Sequence, residues 1–342
     1  MDMALGKIFV EKYYSDEIKK DIEEKIINFE ETMIQRISQI SWIDKQTKNY
    51  AIQKVSKIKN KIGYPDYIKN PKNLYEKYEK LEVNDKDFYI NSINYWKYIM
   101  LEDLKSIKYP LNKDDWRNPP QTLNAFNEIY SNYMVYPAGI LQPLFYKTNE
   151  PDYLIYSTIG AIIGHEITHA FDNTGRLYDE EGNINNWWTY STAKEYDNLT
   201  QCFIDQYNNY YIEDLNGNKY YVNGLATLGE NIADNGGFTR SFEAWKKSMT
   251  KNSTNNKNIE NRNFKLPGLS DYTFDQLFFI AFGQFFCKKE DLNISIRNIS
   301  RDVHSPSKFR VNGYVSNSDY FAEIFHCPVG LSMNPNKKCL IW

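Results

Sequence analysis

The sequence predicts a mainly α-helical protein with a small β-sheet, an α+β fold. Between residues 17 and 60, isoleucines recur at three- and four-residue steps among charged residues, which is the period of an amphipathic helix. From Leu123 to Phe145 the chain is aromatic and β-branched and is interrupted by Pro137 and Gly139, which indicates short strands. A charged fraction of 25% and an apolar fraction of 42% are typical of a folded protein and argue against a wholly disordered chain.

In the first half of the chain, predicted helices alternate with turns. The helical pattern over 17–60 is interrupted near Ser41, and Asp44 is placed to cap the helix that follows. A further helix is predicted over 86–108. Residues that favour turns separate these segments, namely Gly63, Pro65, Pro71, Asn73, Pro110, Pro119 and Pro120.

Two apolar helices are predicted in the second half, over about 153–171 and about 274–287. The segment 248–263 is rich in asparagine and lysine, which predicts an exposed loop. With 41 Lys+Arg against 44 Asp+Glu the net charge is −3, and no basic run occurs, so nucleic acid is not an expected partner. No stretch reaches the roughly 18 apolar residues that a membrane span requires, so no membrane segment is expected in this chain.

The chemical signal of the sequence is the segment His165-Glu166-Ile167-Thr168-His169. Residues at positions i and i+4 share a helix face, so both imidazoles can reach one metal ion. This His-Glu-x-x-His spacing is typical of zinc peptidases, in which the glutamate is the general base. The chain has four histidines, so a chance match is rare, and the preceding residues 160–164 are apolar, as a buried helix requires.

A catalytic zinc also needs a third protein ligand. One type of zinc peptidase takes it from a later histidine, and its pattern requires a glycine and a histidine at fixed offsets after the motif. Those positions here hold Asp172 and Gly175, which excludes this type. Glu230 and Asp234 are again i and i+4, so Glu230 can coordinate while Asp234 accepts the N–H of a ligand histidine. Two acidic residues at this spacing often simply lie on a solvent-exposed helix face. Because the same chain contains the His-Glu-x-x-His motif, we favour the ligand interpretation.

With these residues the chain resembles the neprilysin and endothelin-converting-enzyme family of zinc metallopeptidases. The matching blocks cover nearly all of the chain; they are residues 124–126, 135–143, 164–172, 223–224, 227–234, 304–306, 309–313, 333–335 and 338–342. The resemblance implies a thermolysin-like zincin catalytic domain over 89–342 and the C-terminal part of a helical cap domain over 1–88. It also implies that the N-terminal half of the family ectodomain is missing, and that the protein is extracellular or at the cell surface.

The resemblance further implies one Zn²⁺ per chain, held by His165, His169 and Glu230, with Glu166 as general base. It pairs Cys202 with Cys339 and leaves Cys287 and Cys327 without partners; the residues alone allow three pairings of four cysteines. His304 corresponds to the family residue that stabilises the oxyanion. Asp234 corresponds to a carboxylate that supports a ligand histidine, and Asp172 is a further candidate for orienting one. The residues expected to bind peptide are Asn124, Ala125 and Arg310 for the backbone and Ile140, Phe145, Ile162, Phe285 and Phe286 for a side-chain pocket.

The expected function is therefore that of a zinc-dependent endopeptidase that cleaves oligopeptides on the amino side of hydrophobic residues. Two alternatives remain open. The first is an inactive or incomplete fragment of such a peptidase that binds at most peptide or zinc. The second is a structural protein that keeps zinc for stability. Structural zinc sites are usually closed by four protein ligands, whereas three are expected here, which favours catalysis.

Overall fold

The computed structural model describes residues 1–110, 112–251 and 262–342. The first half contains the helices α1 (Asp2–Tyr13), α2 (Asp16–Gln39), α3 (Lys45–Ser56), α4 (Pro71–Tyr78) and α5 (Phe88–Ser106) and the strands β1 (Lys59–Gly63), β2 (Phe126–Glu128) and β3 (Tyr133–Pro137). The second half contains α6 (Asp152–Ile155), α7 (Ala161–His169), α8 (Tyr190–Asn208), β4 (Tyr211–Glu213), β5 (Lys219–Tyr221), α9 (Leu228–Lys251), α10 (Phe274–Phe285), α11 (Leu292–Asn298), α12 (Ser307–Asn317) and α13 (Asp319–Ile324). The predicted mainly helical α+β fold is confirmed.

A small mixed sheet lies beside the helices. Its strand order is β1-β3-β2, with β1 parallel to β3 and β2 antiparallel to β3, and β4 and β5 form a separate hairpin. Strand β3 is buried along its whole length, whereas β2 is only half-buried and leaves one edge unpaired within the described sheet. An unpaired strand edge offers backbone donors and acceptors to an added strand.

The helices α7 and α9 lie in direct backbone contact. A Cβ on Gly164 would lie 2.3 Å from the Gly237 carbonyl oxygen, and a Cβ on Gly237 would lie 2.3 Å from the His165 nitrogen. No side chain fits at either position, because such distances are far inside van der Waals contact. The two glycines therefore set the spacing between the helix that carries His165 and the helix that carries Glu230.

The N-terminal helices share the core of the helices behind them. Apolar residues of α2, α3 and β1, among them Phe29 and Val55, belong to the same buried cluster as Ile163 and Ile167 of α7. The predicted division of the chain at residue 88 therefore does not coincide with a change of core. The division stays a prediction.

Three predicted boundaries need correction. The helical pattern expected over 17–60, with its break near Ser41, ends at Ser56, because Lys59–Gly63 pairs with β3, a partner about 74 residues away that no local pattern reveals. The helix expected over 153–171 contains a π-helical turn over Tyr156–Gly160 and ends at His169. The expected loop 248–263 begins inside α9, and Asn263 is buried and accepts a hydrogen bond from Trp245 Nε1 at 3.1 Å; residues 252–261 lie outside the described part of the chain.

A disulfide joins Cys202 of α8 to Cys339 near the C-terminus, as the resemblance implied. Cys287 is exposed and Cys327 is half-buried, and both are free thiols. Within the described ranges, no helix is both long enough and apolar enough to cross a membrane.

Asp44 caps α3 as predicted and also ties that helix to α8. Its Oδ1 accepts hydrogen bonds from the Gln46 and Thr47 nitrogens, and its Oδ2 accepts from the hydroxyls of Thr47, Thr189 and Thr192. Burial alone raises the pKa of a carboxyl, but these hydrogen bonds lower the pKa of Asp44 below its ordinary value.

The replacement Asp44→Ala is expected to lower the free energy of unfolding by about 1–2 kcal/mol at pH 7, the usual effect of losing an N-cap. Because the folded pKa lies below the unfolded value of about 3.9, this contribution is fully present above pH 5 and is lost as the pH falls towards 2. Urea unfolding at pH 7 and pH 3 should thus show a smaller difference between wild type and variant at pH 3. The exposed Asp85→Ala is the control, and an undiminished difference at pH 3 would contradict the interpretation.

Candidate metal centre

The two histidines of α7 face one point. His165 and His169 lie one helical turn apart, and their Nε2 atoms are 3.0 Å from each other. Both side chains are largely covered by protein, since the apolar residues of α7 place the helix in the core.

Glu230, in the first turn of α9, brings a carboxylate to the same point. Its Oε2 lies 3.2 Å from His165 Nε2 and 3.4 Å from His169 Nε2. The ligand atoms of these three residues all lie within 4.8 Å of one another. The glycine contact between α7 and α9 makes this approach possible.

Each histidine is held on its far side by a second carboxylate. His165 Nδ1 lies 2.9 Å from Asp234 Oδ1, and His169 Nδ1 lies 2.6 Å from Asp172 Oδ2. A carboxylate can only accept, so each neutral ring donates its Nδ1–H and turns the lone pair of Nε2 towards the other histidine and Glu230.

This donor set fits a zinc ion. Two nitrogen lone pairs and a carboxylate oxygen converge, and the buried Glu230 Oε2 lies 3.1–3.4 Å from three imidazole Nε2 atoms without a well-aligned hydrogen bond to any of them. Three such acceptors repel one another unless a cation lies between them. Two imidazoles with one carboxylate form a known ligand set of catalytic zinc, with the fourth position open.

Burial and neighbouring charges shift the pKa values of the carboxyls around this centre. Burial raises the pKa of Glu166 above its ordinary value. Burial acts in the same direction on Asp234, but Arg310 and His165 together outweigh it and lower the pKa of this fully buried carboxyl. Asp234 therefore stays a carboxylate and can hold His165 in the required tautomer.

Arg310 binds the same carboxylate through two nitrogens. Its Nε lies 2.7 Å from Asp234 Oδ2 and its Nη2 lies 2.6 Å from Asp234 Oδ1, a bidentate ion pair. The guanidinium also lies over the ring of Phe286 at 4.9 Å. Arg310 thus connects Asp234, the carboxylate that holds His165, to the aromatic wall of the cleft, a contact that the sequence did not suggest.

His304 reaches the centre from the loop before α12. Its Nε2 lies 3.1 Å from Glu230 Oε2, and its Nδ1 lies 2.9 Å from Asp302 Oδ1. The next residue anchors the loop, because the Ser305 hydroxyl donates to Asn231 of α9 at 2.8 Å. His304 is more exposed than His165 or His169 and faces the cleft.

A cleft of about 1170 Å³ opens over this centre. Glu166 and every residue expected to bind peptide line it, namely Asn124, Ala125, Ile140, Phe145, Ile162, Phe285, Phe286 and Arg310. Sequence reasoning missed Leu144, which also lines the cleft, has φ of 93° and is 89% exposed. A leucine in this conformation is strained, and nothing in its local sequence marks it.

Comparison with known proteins agrees with this geometry. Sequence models described as peptidase family M13 match residues 124–341 and residues 1–65. The chain is 39% identical to Neprilysin-3 of Drosophila melanogaster over 99% of its own length and 42% of that protein. It is 38% identical to human neprilysin over its full length and 44% of that protein.

Solved structures give the same result. The zinc metalloprotease ZMP1 of Mycobacterium tuberculosis, in complex with an inhibitor, superposes with a TM-score of 0.86 at 31% identity, over 100% of this chain and 49% of that one. PEPO from Lactobacillus rhamnosis superposes with a TM-score of 0.81 at 26% identity, over 98% of this chain and 48% of that one. The chain spans less than half the length of the curated relatives named here. Because the family models cover most of its length and the named relatives are more than a third identical to it, the chain belongs to peptidase family M13.

Proposed function

We propose that this chain is a zinc-dependent endopeptidase that hydrolyses oligopeptides on the amino side of hydrophobic residues. The observation that supports this most directly is the convergence of His165, His169 and Glu230 at the base of a cleft that Glu166 also lines. Three protein ligands leave an open coordination position, which is the arrangement of catalytic zinc.

Bound at these ligands, one Zn²⁺ per chain supplies Lewis acidity, which polarises the peptide carbonyl and acidifies a water molecule. Glu166 takes the proton of the attacking water and returns it to the leaving amine, as a general base and then a general acid. His304 donates a hydrogen bond to the carbonyl oxygen as negative charge develops there. Asp234 and Asp172 keep the two ligand histidines oriented throughout.

The peptide backbone binds along the edge of the sheet. Asn124 and Ala125 directly precede β2, the strand with an unpaired edge, and backbone hydrogen bonds at such an edge bind peptides with little regard to sequence. Arg310 also lines the cleft and is proposed to bind a substrate carbonyl with a donor that Asp234 does not use.

An apolar pocket selects the side chain that follows the scissile bond. Phe145 and Phe285 pack edge to face at 5.4 Å, and Phe285 packs edge to face against Phe286 at 4.9 Å. With Ile140 and Ile162, these rings offer an apolar surface that favours Phe, Leu or Ile.

We also propose that the protein acts outside the cell or at its surface. The Cys202–Cys339 disulfide supports this, because disulfides persist in oxidising compartments.

The test uses peptides that differ at one internal position, which holds Phe, Ala or Asp. Cleavage is expected on the amino side of Phe, with kcat/KM about 10- to 100-fold lower for Ala, because the smaller side chain buries less apolar surface. A zinc chelator should abolish cleavage and added zinc should restore it. Mass spectrometry of the products locates the bond. Folded, zinc-loaded protein that cleaves none of the peptides would contradict the proposal and leave a zinc- or peptide-binding fragment.

A further inference from the structure

We infer that Lys54 is a positioning residue of the metal centre, which acts through the loop that carries Asp172. Lys54 lies on α3, outside the cleft, and is 4% exposed. Its Nζ donates to the carbonyl oxygens of Ala170 at 2.7 Å, Gly175 at 2.8 Å and Tyr178 at 2.7 Å. All three ammonium protons are thereby used on the segment that follows the metal helix.

These contacts meet the end of α7, where helix geometry leaves carbonyls unpaired. Ala170 is the C-cap residue, one position after the ligand His169. The last carbonyls of a helix carry partial negative charge, which a cation stabilises. The rings of Phe171 and Trp187 lie 5.5 and 5.9 Å from Nζ and enclose the ammonium.

The backbone of the same loop also holds the Asp172 carboxylate in place. The Thr174 and Gly175 nitrogens donate to Asp172 Oδ1 at 2.7 and 2.6 Å, while Asp172 Oδ2 accepts from His169 Nδ1. Gly175 is therefore bound at its carbonyl by Lys54 and at its nitrogen by Asp172. A Cβ on Gly175 would lie 1.9 Å from the His169 carbonyl oxygen, so the loop folds directly onto the end of the helix.

The path from Lys54 to the metal thus has three links: the ammonium fixes the loop backbone, the backbone fixes the Asp172 carboxylate, and the carboxylate orients the His169 ring. Removal of a group that hydrogen-bonds a ligand histidine typically weakens metal binding by about 10- to 100-fold. Lys54 acts through such a group, Asp172, so an effect near the lower end of that range is expected. A lysine that merely filled the core would affect folding but not the affinity for zinc.

The test compares Lys54→Met with Lys25→Met in the full chain. Lys25 is an equally buried lysine, 3% exposed, which pairs with Asp21 on α2 and does not contact the loop 170–178. Metal-free samples are checked for folding by near-ultraviolet circular dichroism. Zinc affinity is then measured by competition with a chromophoric chelator, and the visible spectrum of the Co²⁺ form reports the ligand geometry.

Lys54→Met is expected to bind zinc about 10-fold or more weakly, with an altered Co²⁺ spectrum, whereas Lys25→Met should stay within twofold of wild type. If Lys54→Met does not fold, Lys54→Gln, which retains a donor, replaces it. A folded Lys54 variant with unchanged zinc affinity and Co²⁺ spectrum overturns the inference. The inference rests on the proposed zinc site, but the measurements distinguish failure of the one from failure of the other. Wild-type protein that binds no zinc would refute the site itself, whereas an unaffected Lys54 variant would refute only the role of Lys54.

Discussion

Glu166→Gln is expected to lower kcat for peptide cleavage by about 10³-fold, within the range that general acid–base groups contribute. The amide keeps the shape of the side chain but cannot take a proton from water. Glu166 is not among the three proposed metal ligands, so zinc affinity should change little. The measurement is kcat for the Phe-containing peptide, together with zinc content after dialysis.

Glu150→Gln is the matched control, because Glu150 is another carboxylate on the wall of the same cleft and has no part in the proposed chemistry. Its kcat should remain within about twofold of wild type. If both variants lost activity alike, the loss would reflect the charge of the cleft rather than proton transfer. If Glu166→Gln lost its zinc, the glutamate would act on the metal site and not as the base.

His304→Phe should lower kcat by about 10²- to 10³-fold with little change in KM, the usual effect of removing one oxyanion donor. The Nε2 of His304 already points into the centre, 3.1 Å from Glu230 Oε2. Because Nδ1 is turned to Asp302, a donor at Nε2 requires the doubly protonated ring. Steady-state kinetics with the Phe peptide separates kcat from KM.

Zinc affinity distinguishes the two possible roles of His304. As an oxyanion donor it can be replaced without loss of metal, so the zinc dissociation constant should stay within about twofold of wild type. A large loss of zinc from His304→Phe would instead make it a fourth ligand and the site a closed, structural one. His326→Phe is the control, since His326 lies outside the cleft.

Local patterns predicted the helices well and the sheet poorly. The apolar period of α2, with Ile22, Ile26 and Met33 all buried, is a property of neighbouring residues, and so is the cap at Asp44. Strand β1 was missed because it is stabilised by pairing with β3, which lies far away in the sequence. The π-helical turn before α7 has no local signature either.

The same distinction applies to the metal centre. The pairs His165/His169 and Glu230/Asp234 were found because helical spacing puts each pair on one face. The two pairs meet because α7 and α9 are in backbone contact at two glycines. Nothing in the sequence distinguishes these glycines from others. Lys54 could not be identified as a positioning residue, because a lysine on an amphipathic helix is normally assigned to the solvent face.

The contact between Gly164 and Gly237 has a practical consequence for protein engineering. The distance between α7 and α9 is already at its minimum, so it cannot be shortened, and any side chain at either position would lengthen it. A redesign of this centre for another ion, or for another third ligand, therefore has to change side-chain length and type at positions 165, 169 and 230. The backbones of the two helices cannot be brought closer to help.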